Sequence, residues 1–325
     1  MTIKDIAKMA GVSFKTVSRV INNEKGVAEK TREKVLAVIE ECEYEVNYNA
    51  KRLKEASLKQ IAIVTNVKNS MIPYSKNMII MGYIVEYLRE AGYIGFPYDK
   101  LKKVKKNAYG KIDKGFYEGI IILNPKPDED FSAINNLPIC LSGLSDKYDY
   151  VGTNQFESSY IATKHLLDIG CKKISFLLDD EHSITTKEKV RGYEKALQEF
   201  GIDIDYNNIF YNFDTSDKVY NHIKNMKNNN SLSDGYLVNS DYCVFGMIRA
   251  VNELFIKVPE EIKFISFGDT FICNEVYPTV TAMKQNFKLI ARNLVDIMLD
   301  KINNNATNMK VVIPAQISIR NSTIK

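Results

Sequence analysis

From Gln60 onward, short runs that are apolar at every position alternate with stretches of helical periodicity, and this alternation leaves few folds open. Gln60–Val67 is such a run, followed by a helical stretch, Ser75–Ala91, that stops at Gly92. Strands Glu118–Leu123 and Pro138–Leu141 come next, then helix Phe156–Ile169 before Gly170, strand Lys173–Leu178, and helix Thr186–Phe200 before Gly201. Strand Tyr236–Asn239, helix Tyr242–Phe255, strand Lys263–Phe267 and helix Lys288–Ile302 continue the pattern. A strand with no polar face must be covered on both sides, and strands separated by helices run parallel, so the expectation is parallel sheets clad in helices. The Asn/Ser-rich stretches Asn225–Asp234 and Asn303–Asn308 read as loops.

The first 47 residues have a different texture, that of short helices. Thr2-Ile3-Lys4-Asp5 has the form of a capping box, with Thr2 as N-cap. Ile3, Ile6, Ala7 and Ala10 follow at helical spacing. Ala10-Gly11-Val12-Ser13 breaks that helix, and Ser13 can cap a second one that buries Val17, Val20 and Ile21. A third helix fits Glu29–Glu43 through Val35, Val38 and Ile39. Two helices that meet at a sharp angle need a small residue and a glycine between them, which this turn supplies. Phe14, Lys15, Ser18 and Arg19 then fall on the exposed face of the second helix, where Lys and Arg can reach guanine O6 and N7 in a major groove. Taken alone, the same residues also fit a capped helical hairpin with solvated charges.

Charge is distributed to match. The chain is 325 residues long, with a net charge of only +4, too little for a general polyanion binder. Within residues 1–34, however, Lys4, Lys8, Lys15, Arg19, Lys25, Lys30, Arg32 and Lys34 stand against Asp5, Glu24, Glu29 and Glu33. Glu40, Glu41, Glu43 and Glu45 reverse the sign, and Lys51, Arg52, Lys54 and Lys59 restore it. Cys42, Cys140, Cys171, Cys243 and Cys273 form no CxxC pair and read as reduced thiols. The opening residues hold no apolar signal core, and no run is long enough to span a bilayer, so a cytoplasmic protein with no membrane partner is expected.

At higher resolution the opening resembles a known family. Thr2-Ile3-Lys4-Asp5-Ile6-Ala7, Ala10-Gly11-Val12-Ser13, Thr16-Val17-Ser18-Arg19-Val20-Ile21-Asn22 and Thr31-Arg32 are similar to the signature of the lactose/galactose-repressor family of transcriptional regulators. Tyr44, Asn47 and Ala50-Lys51-Arg52-Leu53 resemble its hinge. Weaker likenesses run on through Gly152-Thr153-Asn154, Arg191-Gly192-Tyr193, Ser240-Asp241, Val258-Pro259-Glu260-Glu261 and Ile265–Asp269, ending with Pro278 to Gln285.

The resemblance implies an all-α helix-turn-helix headpiece (1–47) and a hinge helix (48–59). These precede an α/β core (60–325) of two doubly wound parallel-sheet lobes like those of periplasmic sugar-binding proteins. The lobes are expected at about 60–154 with 285–313, and 155–284 with 314–325. It further implies a homodimer on a near-palindromic operator, acting as an allosteric regulator, in most such cases a repressor. By position, Phe14, Lys15 and Arg19 would read bases, and Leu53 would wedge into the minor groove while Lys51 and Arg52 hold phosphates. Ser13, Thr16, Asn22 and Thr31 would contact phosphates, which set register without reading sequence. Leu53 could instead be a linker residue packed on the core.

By the same carry-over, Asn154, Lys189, Asp241, Asp269, Gln285 and Phe287 would line an interlobe cleft for a small-molecule effector, a sugar or an anionic sugar derivative. A protein co-regulator in place of that effector is the alternative. The chain departs from the family at several positions. Val46 stands where proline is usual, Ala28 where serine commonly caps the third helix, and Lys51 where arginine is common. In the cleft, Gly143, Thr153 and Gly268 stand where aspartate is frequent, Ser240 where asparagine is, and Lys189 where arginine is. Other chemistry finds no support. His165, His182 and His222 lack metal-ligand spacing, and there is no Walker A loop, GxGxxG or GxSxG, so neither a metal, a cofactor nor an enzyme is expected. Lys102, Lys103, Lys105, Lys106 and Lys111 fit a solvated helix better than a second nucleic-acid patch.

Overall fold

The computed structural model describes residues 3–21, 26–42, 59–65, 76–99, 117–126, 129, 131, 134, 137–303 and 308–324. The chain divides into two compact units, Met1–Ser57 and Leu58–Lys325.

The small unit holds helices α1 (Ile3–Met9), α2 (Phe14–Ile21) and α3 (Glu29–Glu41). Their apolar faces meet in a core of Ile6, Ala7, Ala10, Val17, Val20 and Val35, the residues that helical spacing selects. Gly11, at φ +61°, makes the turn between α1 and α2. Ser13 caps α2, its Oγ accepting from Thr16 N at 3.1 Å. Ahead of α3, Ala28 offers only its carbonyl, which accepts from Thr31 N and Arg32 N.

In the large unit the described strands form two six-stranded sheets. The first lobe is built from β1 (Gln60–Thr65), α4 (Lys76–Glu90), β2 (Ile94–Asp99), β3 (Gly119–Leu123), β4 (Ile139–Ser142) and β5 (Tyr150–Thr153). The second follows with α5 (Gln155–Asp168), β6 (Ile174–Leu177), α6 (Ile184–Glu199), β7 (Ile209–Phe210), α7 (Ser216–Asn228), β8 (Gly235–Val238), α8 (Asp241–Glu253), β9 (Lys263–Gly268), α9 (Ile272–Glu275) and β10 (Thr281–Lys284). The chain then returns through α10 (Phe287–Ile302) and β11 (Lys310–Ile313) to the first sheet, and leaves again as β12 (Gln316–Ser318). The sheet orders are β11-β5-β4-β3-β1-β2 and β12-β10-β9-β8-β6-β7, parallel throughout except for the antiparallel pair β10/β12. The chain therefore passes between lobes three times, after β5, after β10 and after β11.

Burial explains the apolar runs. Strand β3 is buried at all five positions, and α4 and α10 cover one face of its sheet through Ile80, Ile84, Leu88, Ile290, Leu294 and Met298. A pair of buried Asp149 with half-buried Lys301, reinforced by Met309 N donating to Asp149, pins the returning chain beside β5. Some elements go beyond the apolar pattern. Strand β2 carries Gly95 and Pro97, and it lies at an edge, where a residue without N–H costs no ladder bond. The Asn-rich stretch read as a loop from Asn225 is still helix to Asn228, because Val219, Tyr220 and Ile223 bury one face of α7.

Candidate functional site

Helix α2 buries Val17 and Val20 and leaves Phe14 (46% exposed) and Lys15 exposed. Arg19 and Thr16 are half-buried, as is Thr31 on α3. Ser13 Oγ and Thr16 Oγ1 lie 2.8 Å apart, so these two expected phosphate contacts are already joined in the capping network. Asn22, Lys51, Arg52 and Leu53 lie outside the described residues, as does the Lys102–Lys111 run.

Apart from Lys189, in the second turn of α6, the expected cleft residues come from the carboxyl ends of strands and the helix starts that follow them, where open α/β sheets place ligands. Each has a definite set of partners. Asn154, between β5 and α5, caps α5 by accepting from Glu157 N at 3.1 Å and donates to Glu157 Oε2 at 3.0 Å. Gln285 accepts from Thr153 Oγ1 at 3.2 Å, a buried bond between two of the crossing segments. Phe287 opens α10 and leans, half-buried, on the first-lobe core.

The two aspartates are turned inward. Asp241, 3% exposed, accepts from Thr270 N at 2.6 Å, from Ser266 Oγ and from Cys273 Sγ at 3.4 Å. Its carboxylate sits over Gly268. Asp269, at φ +71°, pairs with Arg320 at 2.7 Å and accepts from Ser318 Oγ at 3.0 Å.

Lys189 behaves differently. It is 4% exposed, donates to Asn239 Oδ1 at 2.8 Å, and lies over the Phe267 ring at 4.2 Å. Among the described residues it has no carboxylate within ion-pair distance. Burial foremost, and then repulsion from Lys76 on α4, pull its ammonium down to about 7, against the opposing pull of Asp179 and Cys243. Lys76 is itself lowered by burial and partly held up by Asp241. Sequence reasoning missed Lys76 and Asn239. Lys76 lies 23 positions beyond Leu53, the nearest residue of any quoted family likeness, and its place is set by α4 packing on the first sheet.

Among the described residues no cluster of His, Cys, Asp and Glu could hold a metal, and no helix is long and apolar enough to cross a membrane. A three-helix unit with a capped, outward-facing second helix, followed by a two-lobed parallel α/β core, defines a helix-turn-helix transcriptional regulator with a ligand-binding-type body. Residues 2–47 match the family described as bacterial regulatory proteins, lacI family, and residues 163–323 match the periplasmic binding protein-like domain. The chain belongs to the lacI family, and it is a DNA-binding regulator and not an enzyme.

Its relatives include the HTH-type transcriptional repressor PurR of Haemophilus influenzae (strain PittGG), 28% identical across 93% of this chain and 91% of that protein. The NTD biosynthesis operon regulator NtdR of Bacillus subtilis (strain 168) is 29% identical across 99% of both chains. In fold the chain is similar to a transcriptional regulator CelR–cellobiose complex, with TM-score 0.75 and 21% identity over 99% of each chain. It is equally similar to the lac repressor dimer bound to operator and the anti-inducer ONPF, with TM-score 0.75 and 24% identity over 100% of this chain and 99% of that one.

Proposed function

We propose that this chain is a cytoplasmic, homodimeric transcriptional repressor whose hold on a near-palindromic operator is set by a small molecule bound between the core lobes. The observation that carries the effector half is Lys189. A buried ammonium with one amide partner and, among the described residues, no carboxylate within ion-pair distance is costly, and a ligand that completes its bonding recovers that cost. The CelR–cellobiose complex among its structural neighbours supports a small-molecule ligand, and the PurR relatives support repression.

On the DNA side, Phe14, Lys15 and Arg19 read bases, and Ser13, Thr16, Asn22 and Thr31 hold phosphates. Lys51 and Arg52 grip the backbone around a Leu53 wedge in the minor groove. In the core, Asn154, Asp241, Asp269 and Gln285 shape the cleft walls, and Phe287 supplies an apolar face for a sugar ring or its derivative.

The test is an operator selected from random DNA by the full-length protein, then titrated with and without a metabolite panel containing neutral sugars, sugar acids and sugar phosphates. A selected palindrome whose affinity moves with one panel class supports the reading. Failure to select any sequence overturns the DNA half. A selected operator indifferent to every metabolite but sensitive to cell extract protein overturns the small-molecule half in favour of a protein co-regulator.

A further inference from the structure

The first lobe has an open cavity of about 330 Å³ at the amino ends of β4, β5 and β11. The cleft residues stand at the other end of the same sheet. Asn154 follows β5 whereas Asp149 precedes it, and the extended chain between them spans roughly 16 Å. The cavity is therefore a separate place. Its volume falls at the lower edge of the roughly 300–1,000 Å³ that small-molecule sites occupy, room for one small ring or a short chain.

The lining is part charged and part apolar. Asp149 is 6% exposed, and both its oxygens are engaged, one by Lys301 and the other by Met309 N. An ammonium has three donors, and Asp149 takes one of those on half-buried Lys301. Lys147, exposed at the rim, pairs with no carboxylate among the described residues. Two lysines against one aspartate leave the lining with one positive charge in excess. Leu137 and Pro138 supply apolar surface, and the half-buried Tyr148 ring is braced edge-on against Phe131 at 5.1 Å between centroids.

We propose that this cavity is a second ligand site, for a small organic acid. The carboxylate takes donors from Lys301 and Lys147, and the hydrocarbon body lies on Leu137, Pro138 and the Tyr148 ring. The site goes beyond the cleft and does not depend on it. Donors on a partly desolvated ammonium gain charge-assisted hydrogen bonds when a carboxylate arrives. One excess positive charge matches a monoanion, whereas a dianionic phosphate would set additional negative charge beside Asp149 and be repelled. The contact of Asp149 with Lys301 and Met309 also ties together β5, α10 and the approach to β11, the three first-lobe elements that run into the lobe crossings. A ligand resting on that contact braces all three at once.

The probe is para-fluorobenzoate, followed by fluorine NMR line broadening on full-length protein at constant ionic strength. Unlabelled benzoate, benzamide and acetate serve as competitors. Saturable binding is expected, with displacement by benzoate. Benzamide, which lacks the charge, and acetate, which lacks the ring, are each expected to compete roughly tenfold less well or worse. Lys147→Glu is expected to weaken binding roughly tenfold or more. Lys195→Glu makes the same change of charge on an exposed position of α6 and is expected to leave binding unchanged. Lys301→Met is expected to abolish binding, and circular dichroism accompanies it because it strips buried Asp149 of its partner. Lys147 is exposed, so Lys147→Glu decides the matter even if Lys301→Met does not fold. Unsaturable broadening, benzamide competing as well as benzoate, or wild-type affinity in Lys147→Glu each overturns the proposal. An equal loss in Lys195→Glu and Lys147→Glu shows unspecific attraction and overturns it as well.

Discussion

The Asp241 carboxylate lies so close to Gly268 that a Cβ on residue 268 would stand 2.5 Å from Asp241 Oδ2. Glycine at 268 and the inward turn of Asp241 are therefore one feature. Aspartate at 268 would clash with Asp241 and place a second charge against it. Gly268→Asp is expected to lower unfolding free energy by roughly 2–4 kcal/mol, through overpacking and an uncompensated buried charge. Urea denaturation of wild type and variant measures this, and a change within 0.5 kcal/mol, the typical size of a surface effect, would mean that the two positions are not in contact.

Lys15 and Arg19 lie on the side of α2 away from Val17 and Val20. Lys15→Ala and Arg19→Ala are each expected to weaken operator binding by roughly 1–3 kcal/mol and to relax sequence preference. Sequence selection with each variant checks both effects. Unchanged preference in the two variants would place base reading on another face.

Ala28 leaves the start of α3 without a side-chain acceptor. Ala28→Ser is expected to raise headpiece stability by about 0.5–2 kcal/mol, the usual worth of an N-cap. Thermal unfolding of full-length protein, followed by a fluorophore attached to the first unit, resolves this gain. No gain would show that backbone geometry at 28 does not admit a cap.

His222 sits edge-on to Phe210 and Phe213, with ring centroids at 4.4 and 5.2 Å, and its Nε2 finds no hydrogen-bond partner among the described residues. Burial lowers it to about 4. Between that value and its ordinary 6.5, the unfolded chain binds more protons than the folded one, so stability falls as pH drops from about 6.5 to about 4. His222→Phe is expected to flatten that limb by on the order of 2 kcal/mol. Urea midpoints at pH 4.5 and 7 for both proteins give the comparison, and parallel losses would exclude His222 as the source.

The sequence by itself determined the headpiece, because Ile6, Val17, Val20 and Val35 at helical spacing, a left-handed Gly11 and a Ser13 cap are local features with local consequences. It also determined the parallel core, since strands apolar at every position have no other stable home. Gly192 was legible only as a motif residue. The reason for it emerges where α5 and α6 touch, for a Cβ there would fall inside contact distance of Phe156 O. Strands β2, β11 and β12 and the far end of α7 were decided by neighbours, because an edge position tolerates Gly and Pro and a buried helix face overrides Asn-rich composition. The cleft is the clearest case of all. Sequence named Asp241, Asp269 and Lys189 as equals, but only tertiary packing supplied Ser266 and Thr270 as donors to Asp241 and set Arg320 beside Asp269. The same packing buried Lys189 between Asn239 and the Phe267 ring, because the surroundings of a cleft charge depend on which distant groups reach it.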